Sequence, residues 1–338
     1  MASAVDRSGL LVAGIEFPDE QVAASLRAGL QRIEELLMDA CSSDDLTLEQ
    51  AAKHLAQAGG KRFRPLLVLL ASQLGEPGGQ DVDKAAVVVE LTHLATLYHD
   101  DVMDEAEIRR GAPSANSRWD NSIAILAGDY LFAAASGLVA DLGTEAVRIQ
   151  ARTFQRLVTG QIQETVAAPE GADPIERYLE VLAGKTGSLI ATSGQFGAMF
   201  AGASQEVVAA MTEFGEAIGM AFQLSDDLID ITSDDEDLGK ATGTDLREGV
   251  RTLPMLFTLA DPASDPRLRE LLTSGPLTED AAHREALLLL RQSRGMDQAR
   301  EVLGEFVERA HDQLARLPQS VARESLEALV GFMHTRSG

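Results

Sequence analysis

The sequence predicts an all-α fold, a helical bundle built as one large domain. Apolar residues recur at three- and four-residue spacing in nearly every long segment, the pattern of helices with one buried face. Alternating apolar and polar runs bounded by turn pairs are missing. Aromatic residues, which sheets favour, are only 4% of the 338.

Residues 1–18 carry no periodic pattern and are expected as a flexible N-terminal tail before an all-α domain over 19–338. That start lacks a basic segment and a long apolar run, so no signal peptide is expected. Val22, Leu26, Leu30, Ile33 and Leu37 mark the first helix. The same spacing predicts helices over 46–58, 62–74, 82–105, 115–139, 144–168, 174–201 and 205–232. Five more follow over 251–260, 266–273, 278–292, 296–315 and 319–334. "AAVVVEL" (85–91) is β-branched, but it runs unbroken into "THLATLYHDD", too long for an ordinary strand. Thr47 with Gln50, and Asp173 before Pro174 with Glu176, form capping patterns. "GEPGGQD" (75–81), "APEGADP" (168–174) and "SGPLTED" (274–280) break the helices. The polar stretch 233–250 is expected as a long loop of a type often functional.

With 29 basic and 53 acidic residues the net charge is −24, a field that repels nucleic acid. Cys41 is the single cysteine, which excludes an intrachain disulfide framework and fits a reducing cytoplasm. No run reaches the ~18–20 apolar residues of a membrane span.

Charge is concentrated in "LYHDDVMDEAEIRRG" (97–111). On a helix, Asp100 and Asp104 share a face one turn apart, with Asp101 beside them. Carboxylates at a helix C-terminus are unfavourable by about 0.3–1 kcal/mol each, a sign that divalent cations reverse. Taken alone, the stretch also reads as a solvated helix end with Glu105 paired to Arg109. "FQLSDDLIDI" repeats the arrangement with Asp226, Asp227 and Asp230, again after an apolar helical run. Two such helices facing each other would form a carboxylate-lined cleft for Mg²⁺ and a diphosphate. "AGGKRFRPLL" adds Lys61, Arg62 and Arg64 after a glycine pair that lets backbone approach a phosphate. Arg109 and Arg110, about 100° apart if helical, can address two anions. Lys185 and Thr186 of "LAGKTGSLI" and Lys240 of "DLGK" add donors. "GKTGS" is no P-loop, because its spacing is wrong and no strand precedes it.

The pieces "GGKRFRP", "ELTHLATLYHDDVMDEAEIRRG", "AGDYLF", "GKTGSL", "FQLSDDLID" and "GTDLREG" resemble, in order over about residues 50–255, the trans-isoprenyl diphosphate synthase (polyprenyl synthetase) family. The resemblance implies a homodimeric helical bundle around a central cavity. It implies head-to-tail condensation of isopentenyl diphosphate with an allylic diphosphate, using Mg²⁺, about three ions per site. By position, Lys61, Arg64, His93 and Arg110 would hold isopentenyl diphosphate. Asp100, Asp104 and Asp226 would bind Mg²⁺, with Asp101, Asp227 and Asp230 supporting them or reaching metal through water. Arg109, Lys185 and Lys240 would contact the allylic diphosphate, and Thr186 and Gln223 would face the developing carbocation. His99 is expected as structural. Where many members carry a lysine after "DLREG", this chain has Val250 and then Arg251.

Ala95 and Thr96, one turn before Asp100, are small; in the family a bulky residue there limits growth. A long all-trans product, hexaprenyl to decaprenyl, is therefore expected, and its release would call for membrane contact. The alternatives are a farnesyl or geranylgeranyl diphosphate synthase, a class I terpene cyclase, an HD-type metal phosphohydrolase and a non-catalytic synthase subunit. A cyclase has no need of "GGKRFRP", and a phosphohydrolase needs more ligating histidines than His99 and His93.

Overall fold

The structure, a computed structural model, describes residues 10–233 and 242–336. It is all-α. The helices are α1 (Glu20–Ala40), α2 (Leu46–Gln57), α3 (Phe63–Ser72), α4 (Gln80–Met103), α5 (Ala115–Arg118), α6 (Asn121–Asp141), α7 (Thr144–Thr165) and α8 (Pro174–Leu182). They continue with α9 (Ser188–Phe200), α10 (Gln205–Thr232), α11 (Thr244–Glu248), α12 (Leu253–Ala260), α13 (Pro266–Thr273), α14 (Asp280–Arg291), α15 (Arg294–Ala315) and α16 (Val321–Arg336). Two antiparallel pairs, β1 (Leu11–Val12) with β2 (Ile15–Glu16) and β3 (Ile108–Arg109) with β4 (Ala112–Pro113), are the strands among the described residues.

The chain divides into two compact units. The first holds residues through Phe154, Leu189–Gly215 and Gln313–Ala328; the second holds Gln155–Ser188, Glu216–Asp312 and the chain from Leu329 onward. The divisions fall inside helices, so no linker composition marks them, and the sequence accordingly reads as one domain.

In the first unit, α4 packs against α1, α3 and α6. Its β-branched run Val87–Val89 is fully buried in helical geometry, because neighbours on several sides cover it. Gly128 of α6 lies against α4: a Cβ there would stand 2.4 Å from the His99 Nε2 and 3.2 Å from the Ala95 carbonyl oxygen. By length and composition α6 could cross a membrane, where the sequence reading expects no span. Packing buries Ala124, Ala127, Gly128, Leu131, Ala135 and Val139 of this helix, while Ile125 and Leu126 are exposed.

Several expectations need correction. Residues 10–17, expected within a loose tail, form the β1–β2 hairpin and bury Val12, Ile15 and Phe17. Strands of two residues are too short to show an alternating pattern. Asp45, not Thr47, caps α2, its carboxylate accepting from the Thr47 and Leu48 amides at 2.9 Å. The helix expected over 115–139 breaks at Trp119, and Asp120 caps α6 by accepting from the Ile123 amide at 2.9 Å.

In the second unit, Asp173 caps α8 as expected, with Pro174 in its first turn. The helix expected over 174–201 is instead interrupted by a π-turn, Ala183–Gly187, which contains Lys185 and Thr186. Gly160 of α7 makes room for it: a Cβ there would lie 2.7 Å from the Lys185 amide nitrogen and 3.0 Å from the Gly184 carbonyl carbon. Within the stretch expected as loop, 244–248 is a helical turn, anchored by Asp230. That carboxylate accepts from the Thr244 and Asp245 amides at 3.1 and 3.2 Å.

Candidate active site

The basic motif enters α3 through Arg62, a residue with φ of 47°. Its guanidinium is held inside the protein, donating to Glu34 and Glu90 at 2.9 Å and to the Ala56 carbonyl at 2.7 Å. Arg62 therefore organises the motif, while Lys61 is exposed and Arg64 half-buried. The Arg64 Nε is buried and lacks a partner among the described residues. Burial pushes the Arg64 guanidinium down to about 10, with Glu90 opposing and Arg110 reinforcing the shift. A guanidinium at that value remains a cation at neutral pH.

Glu90 and His93 lie one helical turn apart on α4. Burial first, then the field of Arg64, Arg110, Arg62 and Arg109, holds His93 well below its ordinary value. It is thus a neutral imidazole with one N–H to donate. Arg110 donates to the Leu55 carbonyl at 3.0 Å and to the Gly59 carbonyl, and lies 4.0 Å from Glu90. Arg64, His93 and Arg110 thus share one electrostatic environment.

The first acidic motif separates by burial. Asp100 is half-buried, Asp104 is exposed at the end of α4, and Asp101 is fully buried. One Asp101 oxygen accepts from the Arg109 Nε at 2.6 Å, and the other is buried without a partner among the described residues. Burial raises the Asp101 carboxyl, and Arg109 opposes that rise. The Glu105–Arg109 helical pair does not form: α4 ends at Met103, Arg109 is in β3, and Arg110 has φ of 54° in the turn before β4. The two arginines diverge because they occupy a strand and a turn, not a helix.

In the second unit, Asp226 and Asp230 are half-buried and Asp227 is buried. The Thr186 hydroxyl donates to the Gln223 Oε1 at 3.3 Å, and the Gln223 Nε2 donates to Asp227 at 3.1 Å. Tyr178 donates its hydroxyl to the other Asp227 oxygen. Burial pushes Asp227 up to about 6, against those two hydrogen bonds. Lys185 pairs with Glu164 at 2.5 Å. Asp245 stands by the motif too, pushed up to about 8 by burial and then by Asp230, Asp227 and Glu248. Val250 and Arg251 are exposed. Lys240 lies outside the described residues.

Sequence reasoning missed Glu90, Glu164, Tyr178 and Asp245. Each acts through a partner distant in sequence; Glu90, which opens "ELTHLATLYHDDVMDEAEIRRG", and Asp245, within "GTDLREG", lie inside the motifs, and Glu164 and Tyr178 lie outside them.

Among the described residues, no three His, Cys, Asp or Glu side chains converge to hold a metal unaided. Mg²⁺ takes one or two carboxylates and completes its shell with water and substrate oxygens. Asp100, Asp104 and Asp226 are oxygen donors of the right hardness.

A family model described as polyprenyl synthetase matches residues 45–289. The chain is 51% identical over 330 residues to a nonaprenyl diphosphate synthase of Mycobacterium tuberculosis, spanning 97% of this chain and 98% of that one. It is 42% identical over 322 residues to a dimethylallyltranstransferase of the same organism, spanning 95% and 98%. Among solved structures, a geranylgeranyl pyrophosphate synthase from Corynebacterium glutamicum, complexed with calcium and isoprenyl diphosphate, superposes with a TM-score of 0.86 at 49% identity, covering 96% of this chain and all of that one (100%). A decaprenyl diphosphate synthase from Rhodobacter capsulatus gives 0.85 at 32% identity, covering 95% and 100%. The fold is that of an all-α prenyltransferase. The chain belongs to the polyprenyl synthetase family.

Proposed function

We propose that this prenyltransferase condenses isopentenyl diphosphate with an allylic diphosphate and repeats the step to make a long all-trans polyprenyl diphosphate. The observation that carries this is the grouping of Arg64, Arg110 and neutral His93 around Glu90, with a buried Arg64 N–H left to donate. A diphosphate is the ligand that such convergent donors suit.

In the proposed step the allylic C–O bond breaks and its electron pair leaves with the diphosphate. The double bond of isopentenyl diphosphate supplies the new C–C bond, and the proton lost passes to the departed diphosphate. Arg109 and Lys185 offset charge gathering on that leaving group. Thr186 and Gln223 present oxygen dipoles to the cation, and Asp227 and Tyr178 hold Gln223 in place. Asp100 and Asp104 of the first unit, and Asp226 of the second, are the carboxylates that would hold Mg²⁺, which would supply Lewis-acid stabilisation of the leaving diphosphate when bound.

The 51% identical relative is a nonaprenyl synthase, and Ala95 in this chain is small, which supports a long product. The 49% identical geranylgeranyl synthase supports a short one. The exposed Ile125 and Leu126 of α6 support a homodimer. Incubation with Mg²⁺, farnesyl diphosphate and labelled isopentenyl diphosphate tests the reading. Products longer than geranylgeranyl are expected; absence of any elongated product refutes it.

A further inference from the structure

We propose that His54 is a positioning residue for the isopentenyl diphosphate site, fixing the hairpin whose turn delivers Arg110; this rests on reading Arg110 as a diphosphate ligand. His54 is in the last turns of α2, only 8% exposed. Its Nδ1 lies 3.0 Å from an Arg118 guanidinium nitrogen, and its Nε2 lies 2.7 Å from the Pro113 carbonyl oxygen. A guanidinium only donates, so Nδ1 accepts; the ring proton is then on Nε2, which donates to Pro113. Trp119 packs edge-on to the imidazole, 5.2 Å between centroids, and the Arg118 guanidinium stacks 4.5 Å over the Trp119 ring. Tautomer and ring orientation are therefore both set.

What the ring grips is specific. Pro113 is the β4 residue paired with Ile108, and Arg109 pairs with Ala112. Arg110 occupies the turn between those strands and donates to the carbonyl of Leu55, the residue next to His54. One turn of α2 thus holds the hairpin twice, through the Leu55 backbone at Arg110 and through the His54 side chain at Pro113. Removing the second hold leaves Arg110 attached to a strand pair of only two residues per side.

Steady-state kinetics with each substrate varied tests this. His54→Asn and His54→Leu lack a donor at the Nε2 position and should raise KM for isopentenyl diphosphate roughly five- to tenfold, leaving KM for the allylic diphosphate within about twofold. His54→Gln places an amide nitrogen near that position and should stay within about twofold of the parent. In an Arg110→Ala background the His54 substitutions should add less than about twofold, because both act through one group. Equal rises for both substrates, identical behaviour of the Asn and Gln variants, or additive effects with Arg110→Ala overturn the proposal. So does failure of all three His54 variants to fold, which assigns the residue to the core. If the parent does not elongate at all, the prenyltransferase reading fails; if Arg110→Ala alone raises KM, only the role of His54 fails.

Discussion

Arg109 and Asp101 form a 2.6 Å ion pair in which the carboxylate is fully buried and the arginine side chain keeps 32% of its exposure. The middle carboxylate of the acidic motif therefore fixes a cation of the adjoining basic pair. Asp101→Asn should lower kcat/KM for the allylic diphosphate about tenfold while changing stability by no more than about 1 kcal/mol, because the released guanidinium can be hydrated. Kinetics beside thermal unfolding checks it; a large stability loss with normal kinetics contradicts it.

Metal removal separates the carboxylates by role. EDTA should abolish turnover and Mg²⁺ should restore it. Asp100→Asn and Asp104→Asn should raise the Mg²⁺ concentration for half-maximal activity about tenfold or more, whereas Asp101→Asn leaves it within about twofold. A Mg²⁺ titration of each variant reads this directly.

Metal-free protein should lose stability as pH rises from 7 to 9. Asp245 is pushed up to about 8 from an ordinary 3.8, so the folded chain keeps a proton the unfolded chain has already released. That contribution is complete below about pH 4 and disappears as pH climbs through 8. His93, shifted downward from 6.5, opposes this only while the unfolded imidazole still binds protons, a share that fades above pH 7. Melting temperatures in EDTA should fall across this window, and Asp245→Asn should flatten the fall.

Gly160→Ala places a methyl group against the Lys185 and Gly184 backbone of the π-turn. Backbone cannot yield as a side-chain end can, so a cost of about 1–3 kcal/mol is expected. Displacement of Lys185 and Thr186 should also lower kcat. Thermal unfolding and turnover of the variant check both; an unchanged kcat contradicts the assignment of the turn.

Ala95 is fully buried one turn before Asp100. Ala95→Phe should shorten the product distribution, at an overpacking cost of about 1–3 kcal/mol. Mass spectrometry of the dephosphorylated products checks it, and an unchanged distribution removes Ala95 and Thr96 from the control of length.

Much of the helical order was legible, because a buried face imposes three- and four-residue spacing over many turns. The β3–β4 hairpin was not: two residues per strand carry no period, and "EIRRGAP" reads as a fraying helix end until Arg109 and Arg110 are seen to diverge. The π-turn was hidden because "AGKTG" does not break the helical pattern on either side. Asp100, Asp104 and Asp226 stood out through repetition of one spacing. The partners that give the site its character did not, since Arg62 meets Glu34 and Glu90 across 28 residues of chain and Tyr178 meets Asp227 across 49.

Glu90 is 2% exposed, 2.9 Å from Arg62 and 4.0 Å from Arg110, and it bears on Arg64 as well. It acts as a resident counter-anion for a set of mutually repelling cations. The folded chain can therefore maintain a concentrated positive site before any diphosphate arrives. On the proposed reading of this site, the same carboxylate would weaken the grip on a bound diphosphate, a compromise suited to an enzyme that takes up a fresh phosphorylated unit at every round of elongation.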